Sequence, residues 1–417
     1  MSRRITIDPI TRLEGHGKIE IFLDDEGDVK RAFLQVPELR GFEAFSVGRP
    51  AEEMPRLTSK ICGVCPTAHH ICSAKALDDL YRVDPPPAAR KLRELMYSAF
   101  ILEDHLLHFF FLGGVDFLVG SSAPPAQRNI LGVVSALGAG VAKRVIRLRK
   151  ECRDIITFLG GRVIHPVCAL PGGMSKSLTE EERQRILEVA REGITFMREI
   201  LGMYRDCIRT ERAYYDLIMD EAFRLQTYYL GTVGRDNTVN FYDGDLRVIA
   251  PDGRERARFH PKDYLSHIAE HVDTWSYTKY PYLKKIGWKG FVDGVSSGVY
   301  RVAPLARLNV ADGMATPHAQ AEFEQFMRFF GGAPVHHTLA FHWARLIEAL
   351  YAAEHLLQLA EDASITDPHV RNIPTATPRE GIGIVEAPRG TLIHHYKTDK
   401  NGIITEANLI VATVHNA

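Results

Sequence analysis

The chain has 417 residues, 45% of them apolar and 25% charged, and a net charge of −1 from 51 basic and 52 acidic side chains. That balance excludes a generally basic nucleic-acid binder and an acidic disordered chain. At roughly 150 residues per domain, the length fits two or three domains or one large elaborated one. Six cysteines are too few for a secreted disulfide scaffold, so a reducing compartment is expected. No apolar stretch follows Met1-Ser2-Arg3-Arg4, so the start does not read as a signal peptide.

In chain order, Ile19, Ile21 and Leu23 alternate with polar neighbours, Asp24-Asp25-Glu26-Gly27 is turn chemistry, and Ala32-Phe33-Leu34 returns, so a β-hairpin is expected over 17–36. A loop with Pro37, Gly41, Gly48, Pro50 and Pro55 follows, and helical patterns dominate from about 87 to 230. The most apolar stretch, 100–120, is broken by Glu103, Asp104, His105, His108 and Asp116 and reads as a buried helix, since a membrane span needs about 20 nearly uncharged residues. A soluble cytoplasmic protein is the expectation. A second helix runs from about Ala126 to Phe158 and stops at Gly160-Gly161. Thr179 and Glu182 form a capping box that starts a third, with an apolar stripe from Ile186 out to about Leu217. Residues 230–310 are β-like and loop-rich, 316–362 return to helix, and a last hairpin pairs 390–397 with 403–411 around Asp399-Lys400-Asn401-Gly402. The sum is a multi-domain α+β chain: a β-rich segment 1–60, a central bundle of long helices 61–230, a loop-rich α+β segment 231–315, and a helix with a β hairpin 316–417, packed as one subunit whose ends meet.

Five motifs carry chemistry. Lys60-Ile61-Cys62-Gly63-Val64-Cys65-Pro66-Thr67-Ala68-His69-His70 sets two cysteines three apart on a turn entering a helix, which lets both sulfurs face one point. Thiolates are soft donors suited to zinc, nickel, copper(I) or iron. The same pair also reads as a redox dithiol or as two core cysteines; no βαβ context supports the first, and a structural zinc site wants two further ligands nearby. His267-Ile268-Ala269-Glu270-His271 matches H-x-x-E-H, in which two histidines on one helix face bind zinc and the glutamate is the base of a hydrolase. The plainer reading of that segment is a surface helix whose histidines bind nothing. Thr11-Arg12-Leu13-Glu14-Gly15-His16 places a carboxylate in a loop, which alone is usually solvated. In Glu386-Ala387-Pro388-Arg389-Gly390 an arginine fixed between proline and glycine can aim its fork of donors at an anion, or simply form a surface ion pair. Gly160-Gly161-Arg162-Val163-Ile164-His165-Pro166, with Gly172-Gly173, holds a histidine in turn punctuation.

Together and in this order, these motifs resemble the large subunit of nickel–iron hydrogenases over 5–416. Lys60 through His69 is similar to the family's R-x-C-G-x-C-x-x-x-H, with lysine in place of the leading arginine, and Asp8 through His16 matches its N-terminal signature. Arg40-Gly41-Phe42-Glu43 looks like the cytoplasmic multisubunit branch that couples hydrogen to soluble electron carriers. The resemblance implies the family fold, a nickel–iron centre with cyanide and carbon monoxide ligands, and a magnesium ion. By the same resemblance Cys62 is the terminal nickel ligand and Cys65 the bridging one, with His69 beside them. Glu14 relays protons, ideally as a buried carboxyl whose pKa is raised toward neutrality. Arg389 and Pro388 surround one cyanide, the Thr413 hydroxyl bonds the other, and Glu43 binds magnesium. The implied partner is a small subunit carrying iron–sulfur clusters, with further flavin-, NAD- or ferredoxin-linked subunits and no nucleic acid. This chain has no second cysteine cluster to carry such wires. Family members end in a second C-x-x-C followed by histidine, and no C-x-x-C follows Cys65 here. Residues 1–417 alone are therefore expected to leave Cys62 and Cys65 at an incompletely liganded cavity near the terminal hairpin, without stoichiometric nickel. Two other readings stay open: a metal-free structural or quinone-site subunit of a respiratory-type complex, and a zinc hydrolase built on His267, Glu270 and His271.

Overall fold

The computed structural model describes residues 3–37, 41–120 and 122–417; Arg40 of the Arg-Gly-Phe-Glu motif lies outside them. The expected first hairpin is present, and a third strand joins it. Strand β1 (Arg4–Ile7) pairs with β2 (Lys18–Leu23), which pairs with β3 (Val29–Gln35), all antiparallel. A four-residue strand is too short to display alternation in sequence.

Helices α1 (Pro66–Leu80) and α2 (Pro87–Leu107) both begin with proline in their first turn, where the missing N–H costs nothing. A π-helical turn, His108–Gly113, continues α2. By length and composition Pro87–Gly113 could cross a membrane, but 78% of its apolar window is buried inside the fold. Helix α3 (Ile130–Gly160) starts later than expected because Asn129 caps it, accepting from the Leu131 and Gly132 amides at 2.9 and 3.2 Å. Helix α4 (Glu180–Thr210) opens on the Thr179–Glu182 box, whose two reciprocal bonds are 3.2 and 3.0 Å long. It ends at Thr210; a separate short helix, Arg212–Met219, completes the helical region, about ten residues before the expected limit.

The middle of the chain forms a mixed sheet. The buried strand β4 (Tyr228–Val233) pairs with β5 (Asp245–Ile249), which pairs with β6 (Glu255–Phe259). Between them and the sheet's far edge, β7 (Ile268–Val272) and β8 (Lys279–Leu283) form a separate ribbon. Strand β9 (Tyr300–Arg301) then returns parallel to β4. Helix α5 (Pro304–Val310) lies on β4. The helix expected over 316–362 is two: α6 (Pro317–Phe330) and α7 (Phe341–Glu361). Gly331 and Gly332 at φ 80° and 109° turn the chain out of the helix, and Pro334 cannot re-enter it. Helix α7 is buried on nearly all sides and is the bundle's centre, packed on α2 and α4.

The last sheet also has one strand more than expected. Strands β10 (Glu380–Ala387), β11 (Gly390–Thr398) and β12 (Ile404–Ile410) are antiparallel in that order. Helix α1 crosses β10 at backbone distance, because Gly381 and Gly383 present no side chain. A Cβ on them would sit 2.2 Å from the Ala76 carbonyl oxygen and 2.1 Å from that of Cys72. The chain ends do meet: the amides of Gly48 and Ala51 donate to the carbonyls of Ile404 and Gly402, each at 2.8 Å.

Candidate metal centre

Cys62 lies in the short loop before α1, and Cys65 is the residue that caps it. The helix geometry turns the Cys65 amide onto the Cys62 sulfur, at 3.1 Å. The shared proton from the Cys65 thiol pulls the Cys62 pKa down against the effect of burial, while that bond and burial push the Cys65 thiol up. Cys62 is thus the more acidic of the two thiols, and its sulfur lies at the positive end of a helix.

Arg389 approaches from the opposite side. It sits with Pro388 in the two-residue turn between β10 and β11, and Gly390 at φ 136° closes that turn. Its guanidinium grips both oxygens of Asp104 on α2 at 3.2 Å each, and its charge acts on both cysteine sulfurs. Asp104 is fully buried. Sequence reading missed it as a site residue, although a carboxylate inside an apolar helix signals a buried partner. The two cysteines therefore sit beside a positive charge that favours thiolate and is itself held by a carboxylate.

Glu14 stands on the far side of Cys62, its Oε1 3.7 Å from the sulfur, which is hydrogen-bond range for a thiol donor. It is half-buried, not buried as expected. Its loop lies on the surface, anchored by Arg12, which donates to the Leu112 carbonyl at 2.9 Å and to both Asp116 oxygens at 3.1 Å. His69, one helical turn beyond Cys65, is 1% exposed, and burial lowers its pKa to about 3. Thr413 is exposed and lines, with Arg389, Arg345 and His415, a cavity of about 460 Å³.

Glu43 lies apart from these groups. Its Oε1 accepts from the Leu409 amide at 2.9 Å and faces the Lys279 ammonium at 3.3 Å, which also meets Glu270 at 3.3 Å.

The H-x-x-E-H segment is not one helix. His267 ends a four-residue helix, while Glu270 and His271 are on β7, so their side chains point to opposite faces. The rings of His267 and His271 stack on Phe259 and Trp288, with centroids 4.0 and 4.5 Å apart. The zinc-hydrolase reading fails on that geometry.

As donors, Cys62 and Cys65 fit two positions of a thiolate-bound nickel: soft, adjacent, and shielded from water on the Cys65 side. Among the described residues no group of three or more His, Cys, Asp or Glu is placed to hold a metal by itself.

Residues 40–130 and 231–417 match the nickel-dependent hydrogenase family, and 4–39 match the HoxL-like family. The chain belongs to the nickel-dependent hydrogenases. It is 49% identical to an F420-non-reducing hydrogenase iron-sulfur subunit of Archaeoglobus profundus, over 99% of this chain and 85% of that protein. It is 40% identical to the NAD-reducing hydrogenase HoxS subunit beta of Cupriavidus necator, over 100% of this chain and 86% of that one. A crystal structure of NAD+-reducing [NiFe]-hydrogenase in the H2-reduced state superposes with a TM-score of 0.92 at 40% identity, covering 99% of this chain and 89% of that one. The fold is therefore that of a nickel–iron hydrogenase large subunit, and the protein is an oxidoreductase of the hydrogenase type.

Proposed function

We propose that this chain is the subunit on which dihydrogen is reversibly split into protons and electrons, with Cys62 and Cys65 among the nickel ligands. The convergence of Glu14, Arg389 and the two cysteines from separate parts of the chain carries the reading. When bound, the nickel–iron centre supplies the metal pair that polarises and cleaves the H–H bond. Glu14 takes the proton from the Cys62 sulfur and, being half-exposed, passes it outward. Arg389 has donors left over from Asp104 and, with Pro388 and Thr413, would orient the anionic cyanide ligands that accompany carbon monoxide on the iron. Glu43 would hold magnesium: with Glu270 and Lys279 its pocket carries one net negative charge, which supports a cation. The remaining four cysteines, Cys72, Cys152, Cys168 and Cys207, are all free thiols. Electrons therefore leave through a small subunit with iron–sulfur clusters and pass to soluble carriers through flavin-, NAD- or ferredoxin-linked subunits, in the cytoplasm.

The test is Cys62→Ser and Cys65→Ser in the assembled hydrogenase, with nickel measured by elemental analysis beside hydrogen oxidation. Both nickel and activity are expected to be lost. Stoichiometric nickel with full activity in either variant overturns the assignment.

A further inference from the structure

Where the ends of α4 and α6 meet the start of α7, the fold leaves a cleft of about 180 Å³. Arg205 and Arg209 line it from α4, Gln325, Arg328 and Phe329 from α6, and Trp343 from α7. No aspartate or glutamate is among the described residues that line it. None of these side chains belongs to the metal centre.

The floor of the cleft is fixed by one buried carboxylate. Glu322, 5% exposed, accepts from the Trp343 indole at 2.8 Å with one oxygen and from Arg205 with the other. Arg205 and Trp343 are therefore held in place, and Phe329 meets the Trp343 ring edge-on, with centroids 5.4 Å apart. Both oxygens of Glu322 are occupied in doing so.

The other two arginines have no such partner. Among the described residues neither Arg209 nor Arg328 forms an ion pair. Asp206 and Glu324, the acids one turn earlier in the same helices, do not reach them, and Glu324 accepts from Gln320 at 2.9 Å instead. Arg183, Arg185 and Arg205 of α4, by contrast, each meet a carboxylate. Arg209 and Arg328 both lie in the last turn of their helices, where the carbonyl end favours a cation, but that preference is modest and fades within a turn. It places the two cations without neutralising them. Three arginines against one glutamate leave two positive charges at the cleft.

We propose that this cleft binds a phosphate dianion, clasped by Arg209 and Arg328 and met by the donors that Arg205 has left over from Glu322. Guanidinium forks match the oxygens of a phosphate, and its charge near −2 balances the two free cations, where a monocarboxylate would leave one unmatched. The volume exceeds the ~150 Å³ that accepts a benzene ring, so the aromatic wall of Phe329 and Trp343 has room for a planar group carrying the phosphate. Free phosphate and the phosphate of a nucleotide share this chemistry.

The experiment is calorimetric titration of the full chain at about pH 8 and low salt, with inorganic phosphate, adenosine 5′-monophosphate and acetate as probes. Phosphate should bind at one site per chain, and acetate about tenfold more weakly or less. Arg209→Gln and Arg328→Gln should each weaken phosphate about tenfold, the weight of one charge-assisted hydrogen bond, and Arg328→Glu should abolish binding. Both positions are exposed, so these variants keep the fold. Arg198→Gln, at an exposed arginine of α4 outside the cleft, should bind as the parent does. Adenosine monophosphate binding tighter than phosphate, with the gain lost in Phe329→Ala, assigns the site to a nucleotide; binding no tighter assigns it to free phosphate. Absence of binding by both phosphate probes, acetate binding as well as phosphate, or Arg209 and Arg328 variants that bind like the parent would overturn the proposal. Hydrogen turnover is not read, so the outcome is independent of the assignment of Cys62 and Cys65.

Discussion

At the scale of single residues, the decisive contact is Glu14 against Cys62. A carboxylate 3.7 Å from the Cys62 sulfur can take a proton without either side chain moving far. Glu14→Gln keeps the shape and removes the exchangeable proton. Turnover and hydrogen–deuterium exchange into solvent should therefore collapse, while conversion between ortho- and para-hydrogen, which needs cleavage but no proton escape, survives. Normal turnover in the variant would reduce Glu14 to a structural carboxylate. Glu14, Cys62, Cys65 and Arg389 each stand in a motif that the sequence displays, but only the resemblance to the hydrogenase family, not the turn residues around them, joins them into one site. Asp104 was not legible, since its meaning depends on Arg389, 285 positions away. His394 and Tyr396 read only as alternating residues of a strand. Their hydrogen bonds to His69 and Ser73 of α1 exist only once the strand lies beneath that helix.

At the scale of elements, the site is assembled by one close approach. Helix α1 brings Cys65, β10 and β11 bring Arg389, and the absence of Cβ atoms at Gly381 and Gly383 sets the distance between them. Gly383→Ala pushes a methyl into the Cys72 carbonyl and should destabilise the protein by about 1–3 kcal/mol, seen as a lower urea midpoint. Gly140 offers the opposite case. It lies in the first turn after the kink at Gly138, φ 81°, in α3, with nothing within 4 Å of a Cβ, so Gly140→Ala should stabilise the protein by about 0.4–1 kcal/mol and raise the midpoint. Equal effects at the two positions would show that helix propensity, not the helix–strand contact, governs this region. The capping box at Thr179 and the helical middle were readable because caps and 3.6-residue periodicity are local. The break at Gly331 and the strand character of Glu270 and His271 were not. A short polar segment takes its conformation from its partner strand, here β8, and not from its own pattern.

At the scale of the whole molecule, the bundle is crossed by buried charge. Arg307, fully buried, holds Glu348 through bonds of 2.6 and 2.7 Å and Glu386 through one of 2.9 Å. His105 bridges Glu348 at 2.9 Å and Arg345 at 3.2 Å, which links α2, α5, α7 and β10 into one unit around the site. Such a network is costly to expose and costly to protonate wrongly. On the bundle's helices five imidazoles are kept neutral by burial: His70, His105 and His355 are lowered to about 4, His342 to about 3, and His108 further still. Unfolded, each takes a proton near pH 6.5. Between these limits the unfolded chain binds more protons than the folded one, so stability is complete above about pH 6.5 and falls as the pH drops toward 4. Each such histidine withdraws about 1 kcal/mol between pH 6.5 and 5.5, while Glu94, whose carboxyl burial raises to about 7, returns about 1 kcal/mol, so the balance is a net loss. The urea midpoint should therefore fall across that single pH unit. His342 lies among Phe109, Phe117 and Phe341, its Nδ1 without a partner among the described residues. His342→Phe keeps the ring and removes the titrating nitrogen, so it should reduce the loss over that pH unit by about 1 kcal/mol. A midpoint that is constant from pH 6.5 to 5.5, or a His342→Phe profile as steep as the parent's, would show that these histidines do not set the acid stability of the fold.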